Sequence, residues 1–188
     1  MLEHTPHFVG EALKGVRPGV EKTLSHHDGI ESAPVILSVR LEGLDDGAPM
    51  DVRHTQDGEG RSPVLRWSGS PDSAVATVIV VEDADSPTPV PLVHLLAWRE
   101  AGDGTAPEGA WGPSSGDDRM GHNSFRKIGW LPPDPPPGHG PHRYVFQVFA
   151  VDAWPDFTGK TVEKSDVLRA LEGHVLARGS AIATYERA

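Results

Sequence analysis

Apolar and polar residues alternate from Val35 onward. Val35, Leu37, Val39 and Leu41 share one parity, and Ser38 and Arg40 take the other. A period of two marks a strand with one buried face. The same reasoning predicts strands at Val64–Trp67, Val75–Val81, Leu92–Trp98, Tyr144–Val151 and Ile182–Tyr185. Val78–Val81 and Leu92–Trp98 are continuous apolar runs, as expected of strands buried on both faces. Turn-forming stretches such as Asp45-Asp46-Gly47 and Gln56-Asp57-Gly58 separate the strands. This spacing suggests a β-sandwich.

Residues 1–34 follow another rule. Val9, Leu13 and Val16 recur at helical spacing, Thr5-Pro6 reads as an N-cap and first helical residue, and Pro18-Gly19 stops the run. A short amphipathic helix is expected over about residues 6–16. Val20–Pro34 is polar and reads as a surface linker, so the chain divides into an arm (1–34) and a β-domain (35–188). So short a helix is marginal alone and should pack on the domain or on a second subunit. A second helix is expected near the C-terminus, capped by Ser165, striped by Leu168, Leu171 and Val175, and ended by Gly179. The stretch 129–141 is dominated by Pro and Gly. It reads either as a linker or SH3-type ligand, or as a stiff ordered loop at the mouth of the strand that follows. Its direct entry into Tyr144–Val151 favours the ordered loop.

Composition supports a β fold. The 188 residues hold 21 glycines and 18 prolines, well above the usual share of roughly 12%. Both residue types are poor in helices and suit many turns. A net charge of −10 argues against nucleic acid and anionic membrane surfaces as partners. No cysteine is present, which removes disulfides, thiolate chemistry and sulfur-ligated zinc. The N-terminus lacks the basic start and apolar run of a secretory signal, and no apolar stretch approaches the ~20 residues that span a bilayer. A cytoplasmic location is expected.

Two clusters carry candidate chemistry. Asp83-Ala84-Asp85-Ser86-Pro87 follows a buried strand, with His94 near the start of the next. His139-Gly140-Pro141-His142-Arg143-Tyr144 enters another apolar strand. Asp83 and Asp85 share a parity, as do His142 and Tyr144 with Phe146 and Val148, so both sets can converge at one end of a sandwich. Taken singly, each residue has a plain structural role. Asp83 can cap a turn, His94 can be a satisfied core histidine, His142 can be a turn residue, and Arg143 can pair with a carboxylate.

Order and spacing say more. Val81-Glu82-Asp83-Ala84-Asp85-Ser86-Pro87, then His94, then Pro135-Pro136-Pro137-Gly138-His139-Gly140-Pro141-His142-Arg143-Tyr144-Val145-Phe146 resembles the phosphatidylethanolamine-binding protein family, most closely its bacterial Raf-kinase-inhibitor-like branch. Asp57-Gly58, Ser62–Trp67, Gly121–Phe125 and Gly173–Ala177 also fit, so the resemblance covers about residues 35–187. It implies a Greek-key β-sandwich with a small pocket for phosphate-like or carboxylate anions; the short N-terminal helix read above lies outside this core, and the C-terminal helix completes the expected fold. By position it implies that Asp83, His94, His142 and Tyr144 line this pocket, with Asp85 beside them, Pro87 shaping the rim and Asp134 at the edge. Imidazole N–H groups and a phenol can donate to anion oxygens, and a carboxylate beside a histidine favours its charged form. Three positions depart from the family pattern. Asp134 stands where bacterial relatives often have Cys, and a carboxylate there repels phosphate unless protonated or paired, favouring a different or cationic headgroup. Ala84 replaces the usual Pro, which should loosen the turn. No aromatic residue flanks His94.

The resemblance implies binding of a small anionic or amphiphilic ligand, with no cofactor and with the arm as a candidate dimer contact. A protein-directed regulator, such as a kinase or protease inhibitor acting through the Pro-rich loop or the arm, is the second reading. A hydrolase using a metal on Asp83, Asp85, His94 and His142 is the third, although no His-Glu-x-x-His zinc motif is present.

Overall fold

The computed structural model describes residues 6–112, 119–157 and 161–187. Among these residues, eight strands form two antiparallel sheets: β1 (Ser38–Leu41), β2 (Leu65–Ser68), β3 (Ala76–Asp83), β4 (Leu92–Glu100), β5 (Gly104–Ala106), β6 (Arg119–Met120), β7 (His142–Val151) and β8 (Val175–Tyr185). The larger sheet has the order β6-β4-β3-β7-β8 and the smaller β1-β2-β5. The protein is mainly β, as the alternating pattern predicts.

Every residue of the central strand β3 is buried. Its odd positions, Ile79 and Val81, join Leu65, Trp67, Leu95, Phe146 and Val148 in the core between the sheets. Its even positions, Ala76, Val78 and Val80, face a second core on the outer side. That second face needs a cover, and the N-terminal segment and a C-terminal helix supply it. Leu24 and Ile30 are 2% and 0% exposed there, beside Val167 and Leu171.

Val20–Pro34 is therefore not a surface linker. It forms two single 3₁₀ turns and a short helix α2 (Asp28–Glu31). The Leu24 N–H donates to Glu82 Oε2 at 2.7 Å and the Ser25 N–H to Gln147 Oε1 at 2.7 Å. Two apolar residues set among polar ones leave no periodic trace, so a single chain reading misses them. Helix α1 (His7–Leu13) is shorter than expected, with Pro6 at its N-cap; Thr5 lies outside the described residues.

The C-terminal helix α3 (Lys164–Leu171) also differs from expectation. Its N-cap residue is Glu163, whose N–H donates to Asp166 Oδ2 at 3.2 Å, and not Ser165. The helix stops before Gly173, which adopts φ 78°, and Val175 opens β8 instead of extending the stripe. The spacing Leu168-Leu171-Val175 fits a helix, but ladder bonding of β8 along β7 overrides it. Strands β5 and β6, of three and two residues, are too short to show a period.

Candidate functional site

Strand β3 ends where β4 and β7 begin, so three strand termini meet at one end of the larger sheet. Asp83 pairs with Tyr144 across the β3–β7 ladder. On the other side the ladder runs Val81–Leu95, then Glu82–Val93, and skips His94. This bulge gives β4 one extra residue and turns His94 out of alternation, a common device beside binding sites. The His94 carbonyl accepts the Leu131 N–H at 2.8 Å, and Nδ1 bonds the Leu131 carbonyl at 2.6 Å. Tyr144 packs edge-on against the imidazole at 5.1 Å between ring centres.

A pocket of about 250 Å³ opens at this end, with Asp83, Pro87, His94, Asp134 and His142 in its lining. Asp85 and Tyr144 stand outside the lining. The chain turns at Ala84, so the parity shared by Asp83 and Asp85 is lost. Asp85 instead takes two bonds from the Arg143 guanidinium, both 2.7 Å, and approaches Arg17 at 3.3 Å. Burial pushes the Asp85 carboxyl up, but the bonds from Arg143 and Arg17 outweigh it and hold the group at about 2. Tyr144 is fully buried behind the wall, and burial first, then Asp83 and Asp134, raises its hydroxyl well above the ordinary phenol range.

His142 is tied to the protein at both nitrogens. Nδ1 meets Asp83 Oδ2 at 2.8 Å and Nε2 meets His139 Nδ1 at 2.7 Å. His139 Nε2 in turn meets the Leu13 carbonyl at 2.8 Å. A carbonyl only accepts, so His139 Nε2 carries a hydrogen. Burial, which lowers the His139 pKa, keeps that ring neutral, so its Nδ1 accepts and His142 Nε2 donates. One proton then remains between His142 Nδ1 and Asp83. The donor expected of His142 toward a ligand is thus spent inside the protein.

The Pro-rich stretch is an ordered wall. Pro133 and Pro135–Pro137 are buried, with Gly138 and His139. Prolines offer carbonyls without N–H groups, so partners must come from elsewhere. The Gln56 N–H donates to Pro133, Arg187 to Pro135, the His139 N–H to Pro136, and Arg17 to His139 and Pro141. Helix α1 backs this wall. A Cβ on Gly10 would stand 2.0 Å from the Pro137 carbonyl oxygen, an approach that only glycine permits.

The opposite wall is a tight loop built by Asn123. Its buried Oδ1 accepts the N–H groups of Phe125 and Lys127, and its Nδ2 donates to Gly129. Ser124 fastens the loop to β4, where its Oγ accepts the Val93 N–H at 2.8 Å. Phe125 and Lys127 are thereby presented at the pocket mouth. Sequence reasoning did not single out either as a site residue, because the loop has no periodicity. Replacing Asn123 with alanine should cost about 1–3 kcal/mol through its orphaned partners. Hydrogen exchange should show protection lost at the Phe125 and Lys127 amides and kept in β3.

The comparisons with known proteins fit this architecture. The sequence profile of the phosphatidylethanolamine-binding protein family matches residues 42–186. A UPF0098 protein of Pyrococcus horikoshii is 35% identical over 146 residues, covering 72% of this chain and 70% of its own. The chain belongs to the phosphatidylethanolamine-binding protein family. A family homologue of known structure from Chlamydia trachomatis superposes with a TM-score of 0.72 at 27% identity, over 81% of this chain and 98% of its own. Escherichia coli YbcL shares the fold, with a TM-score of 0.74 at 23% identity, over 82% of this chain and all of its own.

The three departures from the family pattern now have physical counterparts. The Asp134 carboxylate is not left to repel an anion, because it pairs with Arg187 at 2.7 Å. Arg187 also grips Asp57 through two nitrogens, at 2.7 and 2.9 Å. Burial depresses the Arg187 pKa, but its bonds to Asp57 and Asp134 prevail and raise it. Ala84 does not leave the turn loose. Its N–H donates to the Arg143 carbonyl at 2.9 Å, which a proline could not do, and its carbonyl accepts the Gly19 N–H at 2.8 Å. Trp130, 6.2 Å from His94 between ring centres, and Tyr144 supply aromatic walls that the flanking sequence lacks. Among the described residues, no group of three or more His, Asp or Glu could hold a metal ion, and no helix is long and apolar enough to cross a membrane.

Proposed function

We propose that this pocket binds the acidic headgroup of a small or amphiphilic molecule. The observation that carries the reading is the charge arrangement of the lining. Asp83 shares a proton with His142, Asp134 is held by Arg187, and the exposed Lys127 is part of the lining. An entering anion meets two compensated carboxylates and one cation, even though the chain as a whole carries a charge of −10. Apolar surface from Leu92, Phe125 and Leu131 around the polar floor suits the carbon skeleton that bears the anion. The family name supplies one probe, O-phosphoethanolamine; acetate and inorganic phosphate supply the bare anions.

Calorimetric titration with these three compounds is the test. At least one should bind saturably at a single site. Lys127→Ala should weaken binding about threefold to tenfold, the range for a solvent-exposed charge contact. Absence of saturable binding by all three would overturn the reading. The Pro-rich wall and α1, the two elements named for a protein-directed regulator, are packed on their own domain, and no specific observation favours that alternative.

A further inference from the structure

We propose that each anion captured by this pocket brings one proton with it, and that the proton resides at His94 Nε2. The inference rests on the small-acid reading above and specifies its ligand class: weak acids, bound as anion plus proton.

The geometry fixes the tautomer. The Leu131 carbonyl can only accept, so His94 Nδ1 carries the hydrogen of their 2.6 Å bond. In the neutral ring Nε2 then bears a lone pair. That atom is buried and has no hydrogen-bond partner among the described residues, although His94 lines the pocket. The residue is 3% exposed. Buried polar atoms without partners are rare in folded proteins, and one in a pocket lining marks a place for a ligand atom.

The surroundings keep the ring neutral while the pocket is empty. Burial lowers the His94 pKa, and the His142 charge pushes the same way. Asp83 on β3, the Leu131 carbonyl and Asp134 in the Pro-rich wall push it up, without prevailing. The other groups facing this end are His142 and Tyr144 from β7, Arg187 behind Asp134, and Lys127 at the mouth. His142 donates elsewhere and Asp83 accepts elsewhere. An ionised carboxylate or phosphate oxygen placed against Nε2 would therefore oppose one lone pair with another. A proton resolves the conflict: Nε2–H donates to the anion oxygen, and the negative charge stabilises the imidazolium that burial disfavours. The proton comes from solvent, one for each anion, and no bond in the ligand breaks.

The test uses acetate, or inorganic phosphate if only that binds; because hydrogenphosphate could give its own P–OH hydrogen to Nε2, the ¹⁵N shift of His94 then decides. Calorimetry at about pH 8, in buffers of different ionisation enthalpy, counts protons from the slope of observed heat against buffer enthalpy. The expected slope is about one proton taken up, with affinity falling about tenfold per pH unit above the ordinary imidazole range. His94→Asn can still donate to Leu131 but cannot titrate; it should bind with a slope near zero and no pH dependence in this range. The ¹⁵N shift of His94 Nε2 in the wild-type protein should move from the unprotonated to the protonated range on ligand addition, a readout that does not depend on the variant folding. Binding with zero proton uptake, or uptake that survives in His94→Asn, would overturn the inference while leaving the binding site in place. No binding at all would instead remove the reading beneath it.

Discussion

Glu82→Leu should lower folding stability by about 3–5 kcal/mol, the cost of breaking a buried charge network from one side. Glu82 lies on the face of β3 opposite the pocket and is fully buried. Its Oε2 accepts the Leu24 N–H at 2.7 Å and Gln147 Nε2 at 2.9 Å, and its Oε1 pairs with the Lys164 ammonium. Leucine fills a similar volume but leaves the Leu24 and Gln147 donors buried and unpaired, each costing about 1–3 kcal/mol. Lys164 can recover by turning its partly exposed head into water. Glu82→Gln keeps one acceptor oxygen and should cost less than Glu82→Leu. Urea unfolding of the two variants checks the order, and a loss below about 1 kcal/mol for Glu82→Leu would show that the network contributes little. Because Glu82 faces away from the pocket, the folded fraction of either variant should bind ligand with wild-type affinity.

Glu82 also shows where sequence reading stops. The alternation at Val35–Leu41 disclosed β1, although the strand begins only at Ser38 and Val35 is 70% exposed, and the apolar runs at Val78–Val81 and Leu92–Trp98 disclosed β3 and β4, because burial of a sheet face imposes a local period. His142 and Tyr144 share a face with Phe146 and Val148, as their spacing implies. Features that depend on contacts distant in sequence left no such mark. A glutamate at the end of a valine run reads as the strand emerging into solvent, whereas here Lys164 and Gln147 compensate it inside. Leu24 and Ile30 look like isolated apolar residues in a polar linker until the outer face of the sheet requires a cover. The parity argument placed Asp85 with Asp83, but it holds only while the chain stays extended, and the turn at Ala84 sends Asp85 to Arg143. His94 is the reverse case. Only the bulge in β4, which depends on pairing with β3, aims it into the pocket. The pairing of Asp134 with Arg187 joins residues far apart in sequence, so the expected repulsion of an anion could not be judged from the loop alone.

Stability should fall as the pH drops below about 6.5, and the loss should be steep. The unfolded-state reference for histidine is about 6.5, and the folded values of His94 and His139 are both lowered, burial being the largest cause. A lowered histidine pKa means that the unfolded chain binds protons the folded protein refuses. The stabilising contribution of each ring is therefore complete above about 6.5 and is lost as pH falls toward the native value. While both rings stay neutral in the folded protein, each contributes a slope of about 1.4 kcal/mol per pH unit, so the pair approaches 2.7. A second loss begins below the ordinary carboxyl value of 3.8, where the Asp85 pKa of about 2 keeps its bonds to Arg143 and Arg17 intact in the folded state only. Urea midpoints between about pH 7.5 and about pH 5 measure the first limb; a flat profile would show that the two rings are not held neutral. His139→Gln, which can still donate to Leu13, should remove about half of the slope. Saturating acetate or phosphate, whichever binds, should remove the other half, because a His94 that already carries the ligand's proton has none left to refuse. Two perturbations then separate the histidine that fastens the N-terminal helix to the Pro-rich wall from the one that waits for the ligand.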